Sequence, residues 1–94
     1  MPELGLADFA DWVGAAVEVA IGRETSVVMT LVTADPLAGS PRVAGGFRLE
    51  FAGPVDPVLP QAIYPVTGPT GCREIFMVPV ARDSDATRYE AVFY

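Results

Sequence analysis

The chain has 94 residues, of which 51% are hydrophobic and 19% charged, so it is long enough for one folded domain and too apolar to remain disordered. Its formal net charge is −6 and it contains no Lys, which argues against a nucleic-acid partner because phosphates need clustered basic side chains. It also contains no His, which excludes imidazole bases and imidazole metal ligands.

The first predicted element is a short helix over residues 6–13. One helical face, with the spacing i, i+3 and i+7, is formed by Leu6, Phe9 and Val13. Gly14 follows at the position where a left-handed residue often ends a helix. Because two or three turns are not stable alone, we expect the helix to pack on an open end or edge of a sheet, with Trp12 partly buried at the boundary.

Beyond Gly14 the hydrophobic period changes to two, which predicts strands. Residues 15–21 and 26–33 are both rich in β-branched side chains and are joined by four residues that include Gly22, the pattern of a β-hairpin. The next stretch, 34–46, contains two Pro and three Gly. It is predicted to be a long connection without continuous regular structure, of the kind that often carries function.

The clearest strand covers residues 47–52, where apolar and charged side chains alternate. Its inward face is predicted to be Phe47, Leu49 and Phe51. An Arg-x-Glu pattern begins at Arg48 and again at Arg88. If these two strands pair antiparallel, each Arg is expected to face the Glu of the other strand on the solvent side.

Proline occupies every third position from Pro54 to Pro60, which predicts an extended surface loop because proline donates no hydrogen bond to a sheet. Further strands are predicted at residues 61–67, 72–80 and 88–94, and the apolar residues on both faces of 72–80 indicate a buried strand. The pattern predicts a mainly β protein: one domain over residues 1–94, a small antiparallel barrel or sandwich of about six strands with one short N-terminal helix.

The sequence offers little for catalysis. Without His or Lys the usual Ser and Cys arrangements cannot form. Asp83-Ser84-Asp85 lacks the downstream Gly and Glu of a calcium loop and is predicted to be a solvated turn. Cys72 is the single cysteine and is expected to be a small buried hydrophobe, with a reactive thiol as the alternative. We therefore expect no enzymatic activity, no cofactor and no metal site.

The remaining candidates are contact surfaces for another protein. The proline-rich loop and the strand after it supply the predicted partner-binding residues Val55, Val58, Leu59 and Tyr64. A stiff loop loses little entropy on binding, although its apolar residues can equally fold back as a lid over the end of a barrel. Strand 61–67, in which Pro65 suggests an edge position or a bulge, or strand 88–94 can also accept a partner's strand. The small core favours self-association, so a homo-oligomer is a further possibility.

The expected location is the cytoplasm of a bacterium. No apolar stretch reaches the roughly 20 residues that span a membrane. The N-terminus carries Glu3, Asp8 and Asp11 and no basic residue, unlike a signal peptide. The absence of Lys and Asn beside abundant Ala, Gly, Pro and Arg indicates a GC-rich genome.

Several segments together resemble a small bacterial domain family of unknown function, over nearly the whole chain. They are Asp8-Phe9, Val13-Gly14, Gly45-Gly46-Phe47, Leu49-Glu50-Phe51-Ala52-Gly53-Pro54, Leu59-Pro60-Gln61, Ile63-Tyr64, Phe76, Val78-Pro79-Val80 and Tyr89-Glu90-Ala91-Val92-Phe93. Neighbouring genes for phage tail-collar-like proteins, which we associate with this family, imply a role in assembly. The resemblance carries over no catalytic or ligand-binding residue.

The leading hypothesis is a non-enzymatic protein-interaction or assembly module, as an accessory to a phage-tail-like particle. The alternative is a small-ligand-binding β-barrel or a minimal carboxylate-dependent hydrolase.

Overall fold

A computed structural model of the chain describes residues 4–41 and 45–94. A seven-residue 3₁₀ helix, Leu6–Trp12, comes first. The strands that follow are β1 (Ala16–Ala20), β2 (Ser26–Leu37), β3 (Gly46–Gly53), β4 (Ala62–Gly68), β5 (Gly71–Arg82) and β6 (Thr87–Phe93). The mainly β class with six strands and one short helix is thus confirmed. The connection predicted at 34–46 begins later, because β2 continues to Leu37, and its residues 42–44 lie outside the described part of the chain.

The N-terminal helix is tighter than predicted. In a 3₁₀ helix residues three apart lie on one side, and here Leu6, Phe9 and Trp12 pack toward the core. The indole of Trp12 is 0% exposed, whereas Val13 is 47% exposed and bridges to Leu31 of β2. The prediction that Val13 belongs to the buried face was therefore wrong, because a 3₁₀ helix has three residues per turn instead of the 3.6 of an α-helix. Gly14 does adopt the expected positive φ, of 84°.

The strands form a closed antiparallel barrel in the order β1-β2-β3-β6-β5-β4. The predicted hairpin of β1 and β2 is confirmed. The ring closes between β1 and β4 through two register pairs, Glu18 with Thr67 and Val19 with Val66. Pro65, which has no N–H to donate, stands where this pairing ends. Because β4 and β6 each have a neighbour on both sides, the prediction that one of them is a free edge for a partner's strand was wrong.

Large side chains fill the interior of the ring. The fully buried ones contributed by strands include Val17, Val19, Met29, Leu31, Phe47, Leu49, Phe51, Val66, Ile75, Met77 and Tyr89. The alternation predicted for 47–52 is confirmed, since Phe47, Leu49 and Phe51 all point inward.

Each end of the barrel is covered by a different segment. Phe9 lies at one end, with its ring centroid 5.7 Å from that of Phe47. At the same end Trp12 Nε1 donates a hydrogen bond of 2.7 Å to Thr70 Oγ1 in the β4–β5 turn. The proline-rich loop lies at the other end and inserts Leu59 into the core. Both ends of the barrel interior are consequently closed.

Candidate functional site

The proline-rich loop, residues 54–61, is fastened across one end of the barrel. The backbone N–H of Leu59 donates to Tyr89 Oη at 2.9 Å, and Tyr64 Oη donates to the carbonyl of Pro60. The Thr87 hydroxyl donates to the carbonyl of Val55 at 3.2 Å. These bonds hold the loop as a rigid cover and satisfy polar groups that would otherwise be buried without partners.

The predicted partner-binding residues do not form one exposed surface. Leu59 is 5% exposed and Tyr64 is also buried, while Val55 is partly buried. Of the four, only Val58 is exposed. The loop therefore folds back as a lid over the end of the barrel, which was the alternative to an exposed binding loop. Leu59 and Tyr64 are buried in the core and are not available as contact residues for a partner.

The tyrosine that supports this lid stays protonated at neutral pH. Burial raises the pKa of the Tyr64 hydroxyl above its ordinary value, and the nearby Tyr89 adds to the increase. A protonated hydroxyl is the form that can donate to a carbonyl, so the contact to Pro60 persists across physiological pH.

Three large apolar side chains lie exposed on neighbouring strands at the outside of the barrel. Ile63 on β4 is 64% exposed, Phe76 on β5 is 50% exposed and Val92 on β6 is 52% exposed. Ile63 is in register with Phe76. The paired part of β5 and β6 runs from Val78–Glu90 to Arg82–Thr87. Phe76 and Val92 lie two residues beyond Val78 and Glu90, so an extension of this register sets them side by side. We call this row of Ile63, Phe76 and Val92 the outer apolar face.

The prediction that the strand at 72–80 is buried was wrong for its outward half. Its inward residues Ile75 and Met77 are buried, but Phe76 and Val80 are each half exposed. An apolar run with no alternation has two explanations: a strand covered on both faces, or a strand whose outer face serves as a contact surface. The uninterrupted run is therefore compatible with an exposed Phe76, but it does not decide between these two explanations.

A cluster of charges borders the outer apolar face. Arg48 Nη2 lies 2.7 Å from Glu90 Oε2 and 3.4 Å from Glu50 Oε1, and its Nη1 lies 3.8 Å from Asp35 Oδ2. Arg48 is directly opposite Val92 in the register of β3 and β6, so the cluster begins one strand from the apolar row. We call Asp35, Glu50 and Glu90 the carboxylate cluster; with one guanidinium among three carboxylates, its formal charge is negative.

The Arg-x-Glu prediction is confirmed in part. β3 and β6 do pair antiparallel, and Arg48 does bind Glu90. The hydrogen bond to Glu90 is the main cause that raises the pKa of Arg48, against the opposing effect of burial. The register, however, sets Glu50 opposite Glu90 and Arg88 opposite Ala52. The guanidinium of Arg48 therefore binds, from one side, two acidic side chains that face each other.

The other residues considered for catalysis or metal binding do not form a site. Cys72 is exposed, so the expectation that it is buried was wrong; it lies on the outer side of β5 opposite Thr67. Asp83 accepts hydrogen bonds from the backbone N–H groups of Asp85 and Ala86, which makes the solvated turn that was predicted. Within residues 4–41 and 45–94 no three potential metal ligands are grouped to hold an ion, and no helix there is long and apolar enough to cross a membrane.

Comparison with known proteins supplies a family. A family model described as a domain of unknown function, DUF6916, matches residues 4–93. This match covers nearly the whole chain and agrees with the resemblance to a small uncharacterised domain family. No curated protein and no solved structure gives a significant match to the chain.

Proposed function

The chain belongs to this DUF6916 family, whose description carries no activity, and we propose from its geometry that it is a non-enzymatic module that docks a partner protein on the outer apolar face. The observation that carries the proposal is the alignment of three half-exposed large apolar side chains on adjacent strands. In its finer form the proposal places the module in the bacterial cytoplasm as an accessory to the assembly of a phage-tail-like particle.

Grouping supports the proposal more than exposure alone. Single exposed apolar residues are normal on protein surfaces, whereas contiguous ones mark contact sites. Ile63, Phe76 and Val92 lie on three consecutive strands of the ring, and Val80 continues the apolar surface along β5.

Rigidity of the surface also supports docking. β4 and β5 are paired over the full length of β4, from Ala62 with Met77 to Gly68 with Gly71. The part of the surface that carries Ile63 and Phe76 is therefore held by a continuous ladder and loses little conformational entropy when a partner covers it. Phe76 lies at the centre of the row, where contact residues contribute most to affinity.

The alternative functions receive less support from the geometry. For a ligand-binding barrel, the interior is occupied by large side chains such as Met29, Phe51 and Tyr89. For a hydrolase, Glu50 and Glu90 do face each other on adjacent strands, but they lie on the outer surface of a barrel, whereas substrates are enclosed in concave sites.

The test is a binding measurement on matched variants. A partner is first isolated with the tagged protein from a lysate of the native cell, then purified and titrated by calorimetry. We expect Phe76→Thr to weaken binding about thirtyfold, the effect of removing a central aromatic contact. The threonine keeps β propensity.

The matched control is Val28→Thr. Val28 is 59% exposed on β2, and β2 and β5 are three strands apart whichever way round the ring they are counted. Its removal is expected to leave the affinity unchanged. Equal affinities for the Phe76 and Val28 variants, at unchanged melting temperatures, would contradict the proposal, and so would failure to retain any partner.

A further inference from the structure

We infer that the partner segment covering the outer apolar face carries an Arg or Lys side chain that binds the carboxylate cluster, so the occupant is a different, basic-apolar protein segment and not a second copy of this chain. The inference rests on the proposed docking function of the outer apolar face and adds the chemistry of the partner.

The carboxylate cluster lies close enough to the outer apolar face for one partner segment to contact both. Val92 belongs to the outer apolar face and is directly opposite Arg48. Glu90 precedes Val92 by two residues on the same side of β6, and Glu50 is its partner on β3. Adjacent strands are separated by about 4.8 Å, so a side chain that packs on Val92 lies within one residue's reach of both carboxylates.

Docking changes the environment of these charges. The side chains of Arg48, Glu50 and Glu90 are 28%, 29% and 32% exposed, so water still solvates part of each. A partner that covers Val92 removes much of that water, and a carboxylate without a counter-charge is costly to desolvate. Arg48 is shared among three carboxylates, so a purely apolar partner would leave negative charge uncompensated at the rim of the contact.

Like charges already face each other in the free protein. Glu50 is directly opposite Glu90, an arrangement that is unfavourable across a strand pair. Arg48 lies to one side of this pair, level with Val92. On the other side of the pair Arg88 is opposite Ala52 and interacts with Asp83, whereas the ion pairs of Glu50 and Glu90 are made with Arg48. A guanidinium or ammonium from a partner, placed directly on Glu50 and Glu90, would relieve the repulsion and form charge-assisted hydrogen bonds.

A second copy is a poor occupant for the same reason. Each copy has a net charge of −6 and no Lys. A two-fold contact uses the same patch on both subunits, so it would bring two negative rims into one interface. Of the basic side chains beside the patch, Arg48 is engaged by its own acidic neighbours, and Arg88, two residues before Glu90, lies within Coulombic range of Asp83. Charge complementarity therefore favours a cationic segment from another protein.

The experiment starts from an unbiased probe. A library of random twelve-residue peptides is selected on the folded protein, with the Phe76→Thr variant as the counter-selection. The inference predicts enriched peptides in which Arg or Lys lies within two residues of an apolar side chain. Each chosen peptide is synthesised with Arg or with its uncharged isostere citrulline, and its affinity is measured by fluorescence polarisation.

A double-mutant cycle separates a specific pair from general attraction to an acidic protein. We expect Glu90→Gln to weaken the Arg peptide about tenfold and the citrulline peptide hardly at all. The matched control is Glu18→Gln, because Glu18 is exposed on β1, outside the carboxylate cluster; it is expected to affect both peptides equally and little.

The outcomes distinguish the two proposals. Peptides that need Phe76 but are neutral, or whose Arg is insensitive to Glu90→Gln, would overturn the inference and leave docking on the outer apolar face intact. A library that yields no Phe76-dependent binder would contradict the docking function itself. A dimer that sediments with the wild type and is lost with Phe76→Thr would show that the occupant is a second copy, which also overturns the inference.

Discussion

Replacement of Gly68 by alanine tests how the N-terminal helix is held to the barrel. Gly68 ends β4 without a positive φ, so alanine is compatible with its backbone. A Cβ at this position would stand 2.6 Å from Cδ2 and Cε2 of the Trp12 indole, whereas ordinary contact begins near 3.4 Å. Because Trp12 is completely buried in the core cluster, a shift of the ring also displaces the side chains packed against it.

The expected cost follows from the two contacts that the shift disturbs. Overpacking of a tight core costs roughly 1–3 kcal/mol. Displacement of the indole also stretches its 2.7 Å hydrogen bond to Thr70, and loss of such a bond costs about 1 kcal/mol more. A domain of this length has a total free energy of unfolding of roughly 5–14 kcal/mol, so Gly68→Ala should clearly lower the urea midpoint.

The assay is urea unfolding followed by fluorescence and circular dichroism. Trp12 is the single tryptophan, so its emission reports the indole directly and should shift to the red in the native state of the variant. The control is Gly22→Ala, where the nearest atom to the new Cβ would be 3.8 Å away and stability should be unchanged or slightly higher. A Gly68→Ala protein with wild-type midpoint and emission would refute the packing argument.

Three further predictions concern single groups. Tyr89→Phe removes the acceptor of the buried Leu59 N–H and should lower the free energy of unfolding in urea by about 1–3 kcal/mol. The control, Tyr94→Phe, removes an exposed hydrogen bond from the hydroxyl to a carbonyl and should have almost no effect. Equal effects of the two substitutions would contradict the anchoring of the loop. Backbone N–H groups lower the pKa of Asp83 below its ordinary value of 3.8, so the stability that its carboxylate contributes is present above pH 3.8 and is lost as the pH falls through the lower folded pKa. The urea midpoint should therefore depend less on pH in Asp83→Asn than in the wild type between pH 2 and 5. An unchanged pH dependence would argue against the turn. The thiol of Cys72 is exposed and should react with a thiol reagent in the native protein at the same extent as in urea; a thiol that reacts only after unfolding would contradict its position.

The strands were predictable because their inward residues alternate. Phe47, Leu49 and Phe51 follow period two without interruption, and burial of one face fixes such a pattern. Closure of the ring was not predictable in the same way, because it depends on β1 meeting β4 across intervening chain. A barrel and a sandwich can therefore have the same local pattern.

The candidate site was predicted less well than the fold. Val58 is exposed as expected, but Leu59 packs into the core, and a proline-stiffened loop has the same composition whether it projects outward or folds back. Phe76 escaped prediction because hydrophobic periodicity cannot distinguish a covered outer face from an exposed one. The opposition of Glu50 and Glu90 depends on the register of two strands that are far apart in the chain.

The short helix also stabilises the closure of the barrel between β1 and β4. Seven register pairs join β4 to β5, but only two join β4 to β1. The helix precedes β1 in the chain, and its Trp12 packs over Gly68 at the end of β4. It therefore connects β1 and β4 where only two register pairs join them. Loss of this contact would turn a barrel without edges into an open sheet with two, and unpaired edges recruit other chains. We therefore expect the seven-residue helix to limit aggregation, although it contributes no strand to the barrel.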